Sequence, residues 1–202
     1  MNSVLEWIIS NKTELAGTIF GLVYVWLSIR QSLYTWPAGI LTSLFYCTVF
    51  FYAKFYAGMG LQVYYLIISM YGWWSWGHSE NAGSEKIILK VSLTRNLEWI
   101  RLGGVSIALN VIIWFLLDKY TDSPVPFWDS FTTTWSIIAT WMLARKKLEH
   151  WLIWIFVDLI SAAVYFCRGL YPTVILFFVY TAMAIIGFFE WQKEIEKINV
   201  NE

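Results

Sequence analysis

The sequence predicts an all-α membrane protein of seven transmembrane helices, arranged as two parallel three-helix repeats with one linking helix between them. Two observations support this prediction. Hydrophobic residues make up 58% of the 202 residues and charged residues only 14%, whereas a soluble domain has about 25% charged residues. In addition, the second half of the chain repeats the first. A chain with so few charges has to be solvated by lipid over most of its area.

Seven segments are apolar over the roughly 20 residues that a helix needs to cross the hydrocarbon core. They cover residues 14–30, 34–54, 57–77, 97–118, 126–144, 149–167 and 170–191. In lipid the backbone polar groups have to be satisfied internally, which favours helices for all seven segments. The connections are short except for residues 78–95.

The internal repeat appears when the sequence is aligned with itself at an offset of 115 residues. Similar or identical residues then coincide without gaps, as in Glu14/Asp129, Thr18/Thr133, Trp26/Trp141, Arg30/Arg145, Trp36/Trp151, Phe51/Phe166, Tyr56/Tyr171, Tyr65/Tyr180, Gly72/Gly187 and Trp76/Trp191. One offset that holds across three helices indicates a duplication. We therefore divide the chain into an N-terminal surface segment (1–13), a first repeat (14–77), a loop and linker helix (78–125), a second repeat (126–191) and a cytoplasmic tail (192–202).

The spacing of the repeats predicts their relative direction. Four helices separate equivalent positions, so both repeats run the same way through the membrane. Parallel repeats about an axis along the membrane normal are a known transporter plan, used by sugar carriers of the SWEET type. This SWEET-like 3+1+3 plan predicts a substrate site near the bilayer midplane between the repeats. A duplicated scaffold without a pathway is the alternative.

The basic residues predict the orientation in the membrane. Four lie on the side of the N-terminus and nine on the opposite side, where Arg145, Lys146 and Lys147 form a cluster. Because cytoplasmic loops carry the excess of Lys and Arg, we place the N-terminus outside and the C-terminus in the cytoplasm.

Asp158 is the principal candidate for substrate binding. It lies at the middle of the sixth span, where a charged side chain costs about 2.5–3.5 kcal/mol on insertion scales. Its repeat equivalent is Ser43, so the shared scaffold does not require an acid. We interpret Asp158 as a counter-charge for a cationic substrate or as a proton site, with a hydrogen-bonded structural Asp as the alternative. Helical spacing places Trp154 and Ser161 on the same stripe, and an indole face attracts cations.

Further candidates lie on the third and fifth spans. Gln62, Tyr65 and Ser69 share one face of the third span. The Gln62 amide can hydrogen-bond a heterocycle edge, or it can link two helices. On the fifth span, Trp128 and Ser136 are predicted to line the outer mouth.

Other notable residues are interpreted as structural. Trp151 is typical of an interfacial anchor at the end of a span, and His150 is expected to be solvated or interfacial. Gly72 and Gly187 are expected to allow close helix packing. Asp129 lies in a first helical turn, where the helix dipole favours an acid.

Several function classes lack support in the sequence. The net charge is zero, which disfavours nucleic-acid binding. There is no phosphate-binding loop, zinc-protease motif, nucleophile elbow or Cys/His cluster, so we predict no enzyme activity, no metal and no cofactor. Cys47 and Cys167 are interpreted as small buried residues rather than a disulfide.

Three stretches resemble the PnuC family of vitamin transporters. They are PFWDSFTTTWSIIATWMLARKKLEHWLIWIFVD (126–158), LQVYYLIISMYGWWSWG (61–77) and the residues from Trp36 to Ile40. The resemblance implies uptake of nicotinamide riboside or a related vitamin by facilitated diffusion across the bacterial inner (plasma) membrane. It further implies a homo-oligomer, with trimers expected, and a cytoplasmic vitamin kinase that traps the product.

One departure bears on the substrate. Nicotinamide riboside carriers of this family are expected to have Asn where this chain has Asp158. A carboxylate at low dielectric favours a cation and can accept from the aminopyrimidine of thiamine. We therefore expect thiamine, as in the related PnuT branch, with nicotinamide riboside as the alternative. A membrane subunit that binds the substrate for a separate motor protein is the alternative from another class.

Overall fold

The computed structural model describes residues 12–52, 56–78 and 89–200, and these residues form seven α-helices. The helices are α1 (Lys12–Ile29), α2 (Thr35–Tyr52), α3 (Tyr56–His78), α4 (Asn96–Tyr120), α5 (Pro126–Ala144), α6 (His150–Cys167) and α7 (Tyr171–Val200). Each predicted span corresponds to one helix, which confirms the all-α prediction. The predicted surface segment 1–13 lies almost entirely outside the described residues.

Three described segments are long and apolar enough, by length and composition, to cross a membrane. They are Asn96–Tyr120, His150–Cys167 and Tyr171–Lys197. The helix α5 (PFWDSFTTTWSIIATWMLA) is interrupted by hydroxyl side chains along its first half, which lowers its average hydropathy. With 19 residues and a rise of about 1.5 Å per residue, it is nevertheless close in length to the hydrocarbon core.

The chain divides into two compact units, residues 1–86 (unit 1) and 87–202 (unit 2). In unit 1, α2 packs against both α1 and α3; in unit 2, each of α4, α5 and α6 packs against the next helix along the chain. The predicted linker helix α4 therefore belongs with the second repeat. Asn110 Nδ2 on α4 donates to Ser130 Oγ on α5 at 3.4 Å. The helix α7 continues past Trp191 to Val200, so the predicted tail begins as helix.

The first helix of each repeat ends in the same way. The residues that follow α1 and α5 in the turn, Gln31 and Lys146, have positive φ angles of 53° and 50°. The amide of the next residue, Ser32 or Lys147, then donates to the carbonyl oxygen five residues back. The distance between nitrogen and oxygen is 3.0 Å for Ser32 and 2.9 Å for Lys147. This is the Schellman arrangement of a helix C-terminus. Because the two turns are 115 residues apart in sequence, their identical hydrogen bonding supports the predicted duplication.

The same turns carry a repeated side-chain contact. The Arg30 guanidinium lies over the Trp26 ring at 5.4 Å, and the Arg145 guanidinium lies over the Trp141 ring at 5.5 Å. Each arginine is exposed at the helix end, with its charge attracted to the face of an indole one turn earlier.

A tryptophan pair also recurs at the contact between the second and third helices of each repeat. Trp36 meets Trp76 edge-on with ring centroids 5.0 Å apart, and Trp151 meets Trp191 edge-on at 5.8 Å. All four side chains are buried. Edge-to-face pairs of this kind add about 0.5–1.5 kcal/mol beyond the area that they bury.

Two glycines allow these tryptophans to approach the third helix. A Cβ at Gly187 would lie 2.6 Å from the Trp151 ring, and a Cβ at Gly72 would overlap the Trp36 ring. Both contacts would be closer than van der Waals distance, so only glycine fits at either position. The prediction that these glycines serve close helix packing is confirmed.

The predictions for Trp151 and His150 are wrong. Trp151 is 2% exposed and His150 is fully buried, so neither is interfacial. The imidazole lies 4.4 Å from the Trp151 ring and 4.8 Å from the Trp191 ring. Its Nδ1 is 2.7 Å from the Lys147 carbonyl oxygen. These residues are buried in the contact between α6 and α7, where both rings lie against Trp191.

The turn between α5 and α6 also contacts a segment that precedes α4, residues 89–95, which we call the strap. The Ser92 amide donates to the Lys146 carbonyl at 3.0 Å, and the Ser92 carbonyl accepts from the Leu148 amide at 3.1 Å. The amide and hydroxyl of Thr94 both donate to the Glu149 carboxylate at 2.8 Å. The strap thus joins the α5–α6 turn through backbone and side-chain hydrogen bonds.

The basic cluster in this turn is held by protein contacts. Lys147 Nζ forms an ion pair with Glu98 of α4 at 3.0 Å and also donates to the Leu93 carbonyl at 3.2 Å. Lys146 is 9% exposed. The two cysteines were predicted to be buried, but Cys167 is exposed and Cys47 is half-buried, and both are free thiols.

Candidate functional site

Helix α6 carries three of the predicted site residues on one stripe. Trp154 and Asp158 are four residues apart and Ser161 is three further on, which places their side chains on one face about 5–6 Å apart. Asp158 is 4% exposed and Ser161 is also buried, whereas Trp154 is half-buried. The stripe therefore combines an aromatic ring, an acid and a hydroxyl.

The carboxylate of Asp158 has no protein partner within the part of the chain that the structure describes. It accepts no hydrogen bond there and takes part in no ion pair. A buried charge without a partner is costly, and such groups inside membrane helices normally mark a ligand or ion site. The alternative of a hydrogen-bonded structural Asp finds no support among the described contacts.

Trp154 is held in place by the core of unit 2. It packs against a cluster of buried residues from α4, α5 and α6, namely Leu102, Ile138, Ala139, Met142, Ile153 and Val157. One side of the indole is thereby supported by the core, while part of its surface remains uncovered. A supported and partly open ring is suited to stacking against a flat ligand.

The buried face of α5 is rich in hydroxyl groups. Ser136 is buried, and its carbonyl accepts from Thr140 Oγ1 at 2.8 Å. Thr134 is fully buried, and its Oγ1 has no hydrogen-bond partner among the described residues. Thr134 was not among the predicted site residues. The run Thr132-Thr133-Thr134 was visible in the sequence, but its periodicity could not tell which hydroxyl would be buried unpaired.

Trp128 lies apart from this stripe. It is 44% exposed, and its ring is 6.2 Å from Phe131, whose ring is 6.1 Å from Phe156 of α6. Phe156 is two residues from Asp158, or about 200° around an ideal helix. The structure therefore places Trp128 in an aromatic row on the other side of α6. The adjacent Asp129 accepts a hydrogen bond from Ser123 Oγ at 2.5 Å.

The predicted site residues of unit 1 lie on a buried or half-buried face of α3. Ser69 is buried, and Gln62 and Tyr65 are half-buried. The Tyr65 ring is 5.8 Å from that of Tyr64. Ser69 Oγ faces α2, where a Cβ added at Gly39 would lie 2.8 Å from it. Ser69 is thus a residue of the α2–α3 contact, whereas Gln62 and Tyr65 retain accessible surface.

No group of three or more His, Cys, Asp or Glu side chains that could hold a metal ion occurs in residues 12–52, 56–78 and 89–200. On α6, Trp154, Asp158 and Ser161 offer an aromatic face, a carboxylate and a hydroxyl for recognition.

Comparison with known proteins identifies a family and a fold. Residues 11–193 match the protein family described as Nicotinamide mononucleotide transporter. Nicotinamide riboside transporter PnuC of Escherichia coli is 26% identical over 209 residues, covering 93% of this chain and 85% of that protein. Riboflavin/roseoflavin transporter RibM of Streptomyces davaonensis is 27% identical over 183 residues, covering 89% of this chain and 84% of that protein.

A crystal structure of the vitamin B3 transporter PnuC has the same fold. The superposition has a TM-score of 0.76 and covers 97% of this chain and 87% of that chain, at 17% sequence identity. This likeness confirms the predicted fold class. The matched proteins are transporters, which also confirms the prediction that this chain is not an enzyme.

Proposed function

Because the chain belongs to the nicotinamide mononucleotide transporter family, we propose that it carries nicotinamide riboside, a small cationic vitamin, across the membrane. Membership of this family confirms the resemblance to PnuC proteins noted in the sequence. The relatives described above are named for nicotinamide riboside and for riboflavin/roseoflavin. They favour the alternative substrate over thiamine, our first expectation from Asp158, and we therefore take nicotinamide riboside as the substrate.

The observation that carries this proposal is the pairing of Trp154 with Asp158 on α6. The pyridinium ring of nicotinamide riboside is flat and positively charged, so one ligand group can both stack on an indole and neutralise a carboxylate. A cation held over an aromatic face gains about 2 kcal/mol or more when both are desolvated. Asp158 is already buried and has no partner among the described residues, so a cationic ligand offsets the cost of its burial.

Hydroxyl and amide groups complete the proposed recognition. Ser161 continues the α6 stripe and can hydrogen-bond a ribose hydroxyl, and Ser136 on α5 offers a second buried hydroxyl. In unit 1, Gln62 and Tyr65, which are half-buried, are further candidates for polar contacts with the substrate. Each hydrogen bond of this type contributes about 0.5–1.5 kcal/mol net.

Transport is proposed to proceed by facilitated diffusion. The substrate enters from the outer side, where we place the N-terminus, and is released to the cytoplasm, where a vitamin kinase keeps its free concentration low. The carrier works as a homo-oligomer, with a trimer expected. The alternative is a binding subunit that hands the vitamin to a separate motor. Equilibration of labelled substrate by the purified protein alone in liposomes would distinguish the two.

The proposal is tested by a binding titration with nicotinamide riboside, thiamine and riboflavin on the wild type, Asp158→Asn and Asp129→Asn. Asp129→Asn is the matched control, because its amide oxygen can still accept from Ser123. We expect Asp158→Asn to weaken binding of nicotinamide riboside about tenfold or more, since an interaction with a charged partner is worth about 1.5–3 kcal/mol. Riboflavin is neutral, so any affinity for it should change less.

Two results would contradict the proposal. If Asp158→Asn bound nicotinamide riboside with unchanged affinity, Asp158 would not be the counter-charge for the substrate. A clear preference of the wild type for thiamine would restore the first expectation from the sequence.

A further inference from the structure

At one contact between the first two helices of each repeat, the large and the small residue lie on opposite helices in the two repeats. In unit 1, Gly39 of α2 lies directly against the Tyr24 ring of α1. A Cβ at Gly39 would be 2.9 Å from Tyr24 Cε2, closer than packed side chains allow. The Tyr24 ring therefore occupies the space that a side chain at position 39 would need.

The equivalent positions in unit 2 are Ala139 of α5 and Trp154 of α6, each 115 residues further along. Here the α5 position is small and the α6 position is large. Ala139 is fully buried in the core cluster against which Trp154 packs. The helix pairs are comparable, because α1 packs on α2 as α5 packs on α6 and the turns that connect them share their hydrogen bonds.

We propose that Ala139 is a positioning residue for substrate recognition, because its small side chain leaves the space that the Trp154 ring occupies. Each helix pair has room for one large ring at this level. In unit 1 the first helix of the pair supplies the ring, and in unit 2 the second helix supplies it. This inference rests on the proposed role of Trp154 in binding the substrate.

The exchange has a consequence for recognition. Because the ring comes from α6, it lies on the same rigid helix as Asp158, one turn away, and the spacing between stacking face and charge is set by helix geometry. In unit 1 the ring belongs to α1, and α2 has Ser43 at the position of Asp158. Trp154 and Asp158 of the α6 stripe therefore both differ from their counterparts in α2, whereas the turn and the tryptophan pair are retained.

The test is a four-member set: wild type, Ala139→Tyr, Trp154→Gly and the double variant, which recreates the unit 1 arrangement in unit 2. Thermal unfolding in detergent and binding of nicotinamide riboside are measured for each. Ala139→Tyr overfills the site and Trp154→Gly empties it, so each single variant should lower the melting temperature. In the double variant the new ring fills the vacated space, and we expect its loss to be smaller than the sum of the two single losses. Its affinity should be at least about tenfold weaker, since the ring no longer belongs to α6.

A milder set keeps the inference testable if the tyrosine variant does not fold. Ala139→Val should weaken binding of nicotinamide riboside by the folded protein, because the extra methyl groups displace the indole. Ala139→Ser, which adds only a hydroxyl, should weaken binding less than Ala139→Val does. Combining Ala139→Val with Trp154→Phe should recover stability relative to Ala139→Val alone. A purely structural role of Ala139 would lower the melting temperature without changing the affinity of the folded fraction.

The possible failures are distinguishable. If the losses of stability were strictly additive in both double variants, the inference that Ala139 leaves the space for the Trp154 ring would be wrong. A double variant Ala139→Tyr/Trp154→Gly that regains stability and still binds nicotinamide riboside as the wild type does would leave the exchange intact. It would instead remove Trp154 from the proposed binding site.

Discussion

Among single residues, Trp154 is distinguished from the other tryptophans of unit 2 by its neighbours. Trp151 and Trp191 are buried against each other, and Trp141 lies under Arg145. Trp154 has one supported side and shares a helix face with the Asp158 carboxylate, which has no partner in the part of the chain that the structure describes. This combination of support and access is what a stacking residue needs.

We therefore expect Trp154→Ala to weaken binding of nicotinamide riboside strongly and Trp154→Phe to weaken it less, because phenylalanine keeps a smaller aromatic face. A loss of about 2 kcal/mol corresponds to roughly 30-fold in the dissociation constant. Trp114→Ala is the control, since Trp114 is exposed on α4. Fluorescence titration or calorimetry on the purified protein provides the measurement, and equal effects of Trp154→Ala and Trp114→Ala would contradict a stacking role.

Gly187 gives a second prediction at this scale. Gly187→Ala places a methyl group 2.6 Å from the Trp151 ring, and overpacking of this kind typically costs about 1–3 kcal/mol. The matched control is Gly103→Ala on α4, where an added Cβ would meet nothing within 4 Å. That control should be neutral or stabilising, because alanine favours a helix over glycine by up to about 1 kcal/mol. Thermal unfolding of the two variants should shift in opposite directions or only for Gly187→Ala; equal losses would show that the tight contact is absent.

The sequence could predict the environment of a single residue where the residue's own helix determines that environment, but not where a neighbouring segment does. The repeat offset paired Gly72 with Gly187 and correctly indicated close packing. The common face of Trp154 and Asp158 follows from helical spacing alone. His150 and Trp151 could not be placed, because their burial depends on packing against Trp191 of α7, a contact between helices that the periodicity of one helix does not reveal. The unpaired hydroxyl of Thr134 likewise depends on what the neighbouring helices offer.

Among the connecting segments, the strap is bound by side chains that the first repeat does not have at the equivalent positions. In unit 2 the turn after α5 has Lys147 and Glu149, which bind the strap and α4. The equivalent residues of unit 1 are Ser32 and Tyr34. The side chains that clamp the strap are thus specific to the turn that leads directly into α6. The strap therefore fixes the start of the helix that carries Trp154 and Asp158.

Glu149→Gln and Thr94→Val should both loosen this clamp. Glu149→Gln removes the negative charge that two donors of Thr94 share, and hydrogen bonds to a charged group are worth about 1.5–3 kcal/mol. Glu190→Gln is the control, because the Glu190–Lys193 pair is exposed and such pairs contribute about 0–1 kcal/mol. Hydrogen exchange should show faster exchange of the Thr94 and Leu148 amides in the two strap variants only. Unchanged protection of those amides would mean that the clamp does not hold the strap.

For the whole molecule, the sequence predicted the helices and the repeat because both depend on local apolar length and on a constant offset. It did not predict that α4 would pack with the second repeat, since a linker carries no repeat equivalent to compare. The sequence also did not determine the substrate. Both units share one scaffold, yet positions 39 and 43 of unit 1 are Gly and Ser where unit 2 has Trp and Asp. The proposed binding residues therefore lie at positions where the repeats differ, and comparing the repeats cannot show what those positions bind.

Orientation is the remaining property of the whole chain that a direct measurement can test. The excess of basic residues predicts that the turn after α6, next to Cys167, faces outward and that the end of α7 faces the cytoplasm. Cys167 is exposed and Cys47 is half-buried, so a membrane-impermeant maleimide added to intact cells should label the wild type mainly at Cys167. Labelling should disappear in Cys167→Ser. In a Cys47→Ser/Cys167→Ser background, Lys197→Cys should be labelled only after the membrane is permeabilised. Labelling of Lys197→Cys in intact cells would reverse the assigned direction, and the substrate would then have to enter from the end of the bundle that holds the strap.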